Sequence, residues 1–154
     1  MALQEGDAAP NFTLPTDGGG SVTLADLKGS PVVVYFYPKD NTPGCTTEAK
    51  DFRDLIGEFD KIGAKIIGIS KDSVKKHDNF KAKHELNFAL ASDENDDVCE
   101  KFGAWGVKKM YGKEFEGIIR STYLIGPDGK VAKAWPKVKV AGHAQEVLDA
   151  AKAL

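Results

Sequence analysis

The chain has 154 residues, of which 42% are hydrophobic, and this size suits one compact domain over residues 1–154. A formal net charge of −2 with scattered lysines argues against nucleic acid or an anionic membrane as the main partner. No apolar run is long enough to span a membrane, and residues 1–7 lack the pattern of a secretory signal. Two cysteines, Cys45 and Cys99, do not make an extracellular disulfide framework, so we expect a cytoplasmic protein.

In chain order, the sequence predicts an N-terminal hairpin and then alternating strands and helices. The hairpin joins 12–14 to 21–24 around three glycines, and a helical turn follows at 25–29. Strands and helices are then predicted at 32–37, 46–60, 65–70, 73–85, 88–90 and 96–102. A second hairpin (121–125 and 131–135) and a helix at 143–154 close the chain.

This order of elements indicates an α/β fold with a mixed central sheet and helices on both faces. With a cysteine at the start of the first helix, such a sheet resembles the thioredoxin-like fold. That fold carries many chemistries, so the function must be argued from the site.

Cys45 lies in the first turn of a predicted helix, after a polar loop that follows the buried strand 32–37. Backbone N–H groups at a helix start have no intrahelical partner, and the macrodipole adds partial positive charge there. Such sites lower the pKa of a cysteine from about 8.5 to roughly 3.5–7.5. Because Cys45 follows Pro43-Gly44 rather than lying on the apolar stripe of the helix, we interpret it as a nucleophile.

Pro38, Thr42 and Cys45 match the P-x-x-x-T-x-x-C signature of the peroxiredoxins. The longer strings YFYPKDNTPGCTTEA and MYGKEFEGIIRSTYLIGPDGKV resemble the peroxiredoxin Q branch, also called bacterioferritin comigratory protein. The similarity extends over nearly the whole chain. It implies a thiol peroxidase that reduces hydrogen peroxide and small organic hydroperoxides, with no metal or organic cofactor.

Peroxide reduction needs a thiolate, donors that align the two oxygens, and positive charge near the leaving oxygen. Cys45 supplies the thiolate, Thr42 can place its hydroxyl beside the sulfur, and the N–H groups of Gly44 and Cys45 point to the same spot. Pro38, which has no N–H, can shape and shield the pocket. By resemblance, Arg120 is the active-site arginine, and Glu48 either orients it or is a solvated first-turn acid.

The chain departs from the common two-cysteine pattern of the branch. Many members carry a resolving cysteine five residues after the nucleophile, where this sequence has Lys50. Other members place it on the next helix, but residues 73–85 contain no cysteine. Cys99 is the one remaining thiol, and Val98 and Phe102 beside it suggest a core position. We therefore expect a one-cysteine cycle that thioredoxin, glutaredoxin or a small thiol completes, with resolution by Cys99 as the alternative.

Other functions and partners are less well matched by the sequence. His77 and His84 lack the third ligand and the close spacing of a metal site, and the lysines around them indicate surface residues. A peroxide sensor or thiol-dependent chaperone remains an alternative, and a cysteine hydrolase would need His143 as its base. A relative of the glutathione peroxidases fits less well, because the loop before Cys45 matches another family. We expect a monomer or weak homodimer.

Overall fold

The computed structural model describes residues 2–154. Its strands are β1 (Thr13–Pro15), β2 (Ser21–Thr23), β3 (Val32–Phe36), β4 (Lys65–Ser70), β5 (Ala89–Ser92), β6 (Trp105–Met110), β7 (Lys113–Ile118), β8 (Ser121–Ile125) and β9 (Val131–Trp135). Its helices are α1 (Pro43–Lys61), α2 (Val74–His84), α3 (Val98–Lys101) and α4 (His143–Lys152), with short 3₁₀ turns at Asp17–Gly19 and Leu24–Leu27. Within residues 2–154, no helix combines the length and the apolar character needed to cross a membrane.

A central sheet with the strand order β5-β4-β3-β8-β9 organises the fold. The strands β3, β4 and β5 run parallel, while β8 and β9 are antiparallel to their neighbours. Strand β3 lies in the middle of this sheet, and Phe36 near its end pairs with Ser121 at the start of β8. The expected thioredoxin-like mixed sheet and the N-terminal hairpin β1–β2 are confirmed.

Both faces of the sheet are covered, which explains why β3 is apolar throughout instead of alternating. Val33, Tyr35 and Tyr37 point to one face, where they pack with apolar residues of α1, α2 and α4. Val32, Val34 and Phe36 point to the other face, where they meet the N-terminal segment and α3. The sheet therefore separates two hydrophobic cores.

Several boundaries differ from the sequence-based expectation. The sequence predicts no strand between 103 and 120, yet β6 and β7 form an antiparallel hairpin there. Its outward-facing polar residues hide the strand signal, and within residues 2–154 neither of its strands pairs with the central sheet. Helix α1 begins at Pro43 rather than at 46, since proline suits the first position of a helix.

The sequence predicts His77 on the surface, and this prediction is wrong. His77 is fully buried, because it shares the inner face of α2 with Phe80, three residues further along. Its ring nitrogens lie within hydrogen-bond distance of Asp40 and of the Ala91 carbonyl oxygen, so burial leaves neither nitrogen unpaired. His84 is half-buried.

Candidate active site

The loop of residues 38–45, here named the Cys45 loop, carries the chain from β3 into α1. Thr42 is the N-cap residue with an extended backbone, and Pro43 starts the helix. Cys45 therefore lies in the first turn of α1, as the sequence predicts, with 2% of its surface exposed. The thiol occupies a nearly closed position at the helix start.

Two backbone donors lie beside this thiol. The first hydrogen bond of α1 runs from the N–H of Thr46 to the carbonyl oxygen of Thr42. Within residues 2–154, no acceptor receives a hydrogen bond from the N–H groups of Gly44 and Cys45. Both remain available to a ligand oxygen, and the helix dipole adds positive potential at the same point.

Arg120 lies far from Cys45 in the sequence, yet it contacts the thiol. It directly precedes β8, and the pairing of Ser121 with Phe36 brings it beside the end of β3 and the Cys45 loop. Its Nη2 atom donates to the Cys45 Sγ atom at 3.3 Å. Its backbone carbonyl accepts from the N–H of Val138, which holds the segment in place.

Glu48, one turn after Cys45 on α1, binds the other side of the guanidinium. Arg120 Nη1 donates to Glu48 Oε1 at 2.6 Å, and the Glu48 side chain is 1% exposed. Burial raises the pKa of Glu48 to about 7, and the nearby Arg120 opposes this rise without cancelling it. Burial by itself lowers the pKa of Arg120, but Glu48 and Cys45 outweigh that effect, so its pKa is raised and it stays charged.

Gly44 makes room for the arginine. A Cβ atom built at position 44 would lie 3.2 Å from Arg120 Nη2, so the guanidinium would have to shift by a few tenths of an ångström. The glycine of the Pro-Gly-Cys sequence is thus explained by the approach of a side chain, a reason that the local sequence does not reveal.

Thr42 and Pro38 also belong to the loop. Within residues 2–154, neither of them forms a hydrogen bond with the Cys45 thiol. The Thr42 hydroxyl donates to the Lys39 carbonyl oxygen at 2.8 Å, so its oxygen keeps lone pairs with which to accept from a ligand. Pro38 is half-buried directly after β3. Both residues lie in the Cys45 loop together with the thiol.

Lys108 is a further cation at this site that the sequence did not single out. It lies on the unpredicted strand β6, and its ammonium donates to the Ile118 carbonyl oxygen at 2.9 Å. Burial lowers the pKa of Lys108, the positive charge of Arg120 adds to this, and Cys45 acts in the opposite direction. Recognising Lys108 required knowledge of the β6–β7 hairpin.

Cys99 lies on α3, on the opposite face of the sheet from Cys45. It is fully buried with Val98 and Phe102 in the second hydrophobic core, and both cysteines are free thiols. Its backbone N–H donates to Asp93 Oδ2 at 2.8 Å, which fixes the start of α3. Burial raises the pKa of Cys99 far above its ordinary value, and Asp93 adds to the rise. The structure does not bring the two thiols together.

Asp93, Cys99 and Glu100 place potential metal-ligand atoms within 4.8 Å of one another. The ammonium of Lys71 already lies among these groups, 3.1 Å from Asp93 and 2.9 Å from Glu100. A cation therefore balances both carboxylates without a metal ion.

His143 is not arranged as a base for Cys45. Its Nε2 atom is 2.8 Å from the Thr122 hydroxyl, and its ring packs edge-on against Phe52 and Trp135. Burial lowers the pKa of His143 to about 4. This arrangement explains His143 as a buried packing residue.

The sequence also matches a protein family and named relatives over most of its length. The model of the AhpC/TSA family matches residues 5–134. Peroxiredoxin Bcp of Xanthomonas campestris is 55% identical over 147 residues, which cover 94% of this chain and 92% of that protein. Peroxiredoxin Bcp of Escherichia coli is 46% identical over 147 residues, covering 96% of this chain and 94% of the relative.

Solved structures show the same fold. Bacterioferritin comigratory protein of Xanthomonas campestris, described for its alkyl peroxide reduction activity, has a TM-score of 0.90 at 52% identity and covers 99% of this chain and 98% of that one. PrxQ of Xylella fastidiosa has a TM-score of 0.94 at 43% identity, with the same two coverages.

Proposed function

Because the chain belongs to the AhpC/TSA family, in its peroxiredoxin Q (Bcp) branch, and is a thiol peroxidase, we propose that Cys45 is the thiol that hydroperoxides oxidise. The substrates are hydrogen peroxide and small organic hydroperoxides. The 3.3 Å contact between Arg120 Nη2 and Cys45 Sγ, at a helix start with free N–H groups, carries this proposal.

In the first half of the cycle, the Cys45 thiolate attacks one oxygen of the peroxide. A sulfur–oxygen bond forms while the oxygen–oxygen bond breaks, so the sulfur is oxidised to a sulfenic acid and the peroxide is reduced. The leaving hydroxide or alkoxide takes up a proton and departs as water or alcohol. No metal or organic cofactor takes part.

The neighbouring groups have separate roles in this step. Arg120 stabilises the thiolate and the charge that develops on the leaving oxygen, while Glu48 holds the guanidinium in place. The N–H groups of Gly44 and Cys45 bind one peroxide oxygen. Thr42, whose hydrogen is committed to Lys39, accepts the peroxide O–H, and Pro38 screens the pocket from water.

In the second half, two thiols from outside the chain reduce the sulfenic acid. The first thiol forms a mixed disulfide with Cys45 and releases water. The second thiol attacks this mixed disulfide, which releases Cys45 as a thiol and leaves a disulfide between the two reducing sulfur atoms. Thioredoxin, glutaredoxin or a small thiol can supply these electrons. The protein acts as a monomer or weak homodimer, as one domain over 1–154, in the cytoplasm.

The position of Cys99 supports this one-cysteine cycle. The sheet lies between the two thiols, and a disulfide needs Cα atoms within roughly 4.4–6.8 Å. Resolution by Cys99 within the chain would require α3 to leave the second core, taking Val98 and Phe102 out of their packing.

Mass analysis under non-reducing conditions, after one equivalent of hydrogen peroxide, tests the whole proposal. We expect one added oxygen at Cys45, repeated turnover with dithiothreitol, and no turnover in Cys45→Ser, whose hydroxyl stays protonated. Turnover of Cys45→Ser within about tenfold of the parent would contradict the assignment, since a nucleophile knockout removes far more. A single turnover that stops despite the reductant would favour a peroxide sensor, and a Cys45–Cys99 disulfide would favour a two-cysteine cycle.

A further inference from the structure

Asp40 lies inside the Cys45 loop, and both of its carboxylate oxygens are bound by buried side chains. The Tyr37 hydroxyl donates to Asp40 Oδ1 at 2.5 Å, and His77 Nδ1 lies 2.6 Å from Asp40 Oδ2. The His77 side chain is 0% exposed and that of Asp40 is 2% exposed. The peroxidase mechanism described above uses none of these three side chains.

The partners of His77 define where the protons lie. Its Nε2 atom is 3.0 Å from the Ala91 carbonyl oxygen, which can only accept, so Nε2 carries a proton. The 2.6 Å contact with Asp40 requires another proton between Nδ1 and the carboxylate. Burial and the Asp40 carboxylate raise the pKa of Tyr37, so its hydroxyl keeps its proton and donates. Every polar atom of the Asp40 and His77 side chains therefore has a partner.

These bonds join the Cys45 loop to three other elements. Tyr37 directly follows β3, His77 belongs to α2, and Ala91 belongs to β5. The backbone N–H of Asp40 also donates to Asp72 Oδ2 at 2.8 Å, and the Ser70 hydroxyl donates to the same oxygen. The loop is thus fixed to the sheet and to α2 at the residue midway between Pro38 and Thr42.

The backbone turns directly after Asp40. Asn41, between Asp40 and Thr42, has φ of +62°, a left-handed conformation that asparagine adopts more readily than other non-glycine residues. Directly after it come Thr42 and the helix start with the free N–H groups. A shift at Asp40 would therefore move the donors that align a peroxide relative to Cys45.

We propose that Asp40 and His77 form a positioning pair that holds the Cys45 loop in the geometry that peroxide reduction requires. The pair acts through the loop and does not touch the reacting atoms. This inference rests on the proposed function of Cys45.

Two reagents separate alignment from simple thiol reactivity. Hydrogen peroxide needs the aligned donors of the loop, whereas iodoacetamide alkylates any accessible thiolate. We expect Asp40→Asn and His77→Asn to slow the peroxide reaction of Cys45 about 10- to 100-fold, because misplaced groups lose that much rate, while alkylation stays within about threefold. In Asp40→Asn/His77→Asn, the effects should not multiply, because the two residues act as a unit.

Controls keep the test decisive. Tyr37→Phe keeps the buried ring and removes one donor to Asp40, so it serves if Asp40→Asn does not fold, with a smaller loss in the same selective direction. Phe59→Leu loosens the packing of the same core near the far end of α1, where its ring packs on Phe52 and not on Tyr37, Asp40 or His77, so it should change the two reactions equally or not at all. A parent that reacts slowly with peroxide would defeat the proposed function itself.

Several outcomes would overturn the positioning pair. They are unchanged peroxide rates in the folded variants, equal slowing with both reagents, multiplying effects in the double variant, or the same selective loss in Phe59→Leu.

Discussion

The Nη2 atom of Arg120 donates to the Sγ atom of Cys45 at 3.3 Å, although 75 positions separate the two residues. The pairing of β8 with β3 creates this contact, since Arg120 precedes the residue opposite Phe36. The same guanidinium binds Glu48, so one turn of α1 provides both its sulfur and its carboxylate partner. One small cluster therefore joins the thiol, the guanidinium and the carboxylate.

Arg120→Met should slow the reaction of Cys45 with hydrogen peroxide by about 100-fold or more, because the thiolate and the leaving oxygen both lose a positive neighbour. Stopped-flow peroxide kinetics and thiolate ultraviolet absorbance measure the two effects. Arg53→Met is the matched control, since the Arg53 guanidinium binds Asp54 and the His84 carbonyl oxygen instead of the thiol. Equal rates in both variants would make Arg120 an ordinary surface cation.

Glu48→Gln should change how stability depends on pH. The pKa of Glu48 is raised from 4.5 to about 7, so between these values the folded state holds a proton that the unfolded chain has lost. The stability linked to this group is complete below about pH 4.5 and is lost as the pH rises through about 7. Glutamine cannot ionise and therefore escapes this loss.

The free energy of unfolding of Glu48→Gln should thus gain about 2 kcal/mol on the parent between about pH 5 and about pH 8. Urea unfolding at several pH values measures the difference. A difference that stays constant with pH would show that Glu48 ionises normally in the folded protein.

Gly44→Ala should reduce peroxide reactivity without reducing stability. The new Cβ would lie 3.2 Å from Arg120 Nη2 and displace the guanidinium, which we expect to slow the reaction about tenfold. Gly57→Ala on the same helix is the control, because its Cβ would meet nothing within 4 Å. It should stabilise α1 by up to about 1 kcal/mol and leave the peroxide rate unchanged. Parent-like kinetics for Gly44→Ala would show that Arg120 adapts without loss.

Cys99→Ser should keep the first reduction of peroxide near the parent rate and still turn over with dithiothreitol, because Cys99 lies across the sheet from Cys45. Without an external thiol, parent and variant should both overoxidise Cys45 to the sulfinic acid at high peroxide. Mass spectrometry of Cys45 follows this product. Loss of thioredoxin-dependent turnover in Cys99→Ser alone, with a Cys45–Cys99 disulfide in the parent, would make Cys99 the resolving residue.

Local signals predicted the candidate nucleophile and most of the fold. A run of β-branched and aromatic residues followed by a polar loop and a Pro-Gly-Cys helix start is readable without tertiary information, because strands and helix starts depend on neighbouring residues. The turn residues 126–129 likewise predicted the hairpin of β8 and β9, with the observed ends Ser121–Ile125 and Val131–Trp135. The sequence did not predict the β6–β7 hairpin, because its exposed strands lack a buried face.

The tertiary structure alone decided which distant residues meet. Glu48 was readable as a first-turn acid, but its bond to Arg120 depends on β8 lying beside β3 in the sheet. His77 looked like a surface residue among lysines, and only the packing of α2 against β3 and β5 buried it against Asp40. Likewise, the sheet between Cys45 and Cys99 separates thiols whose spacing in the sequence says nothing about their distance. Such contacts follow from strand order and helix packing, which the sum of many weak interactions over the whole chain selects.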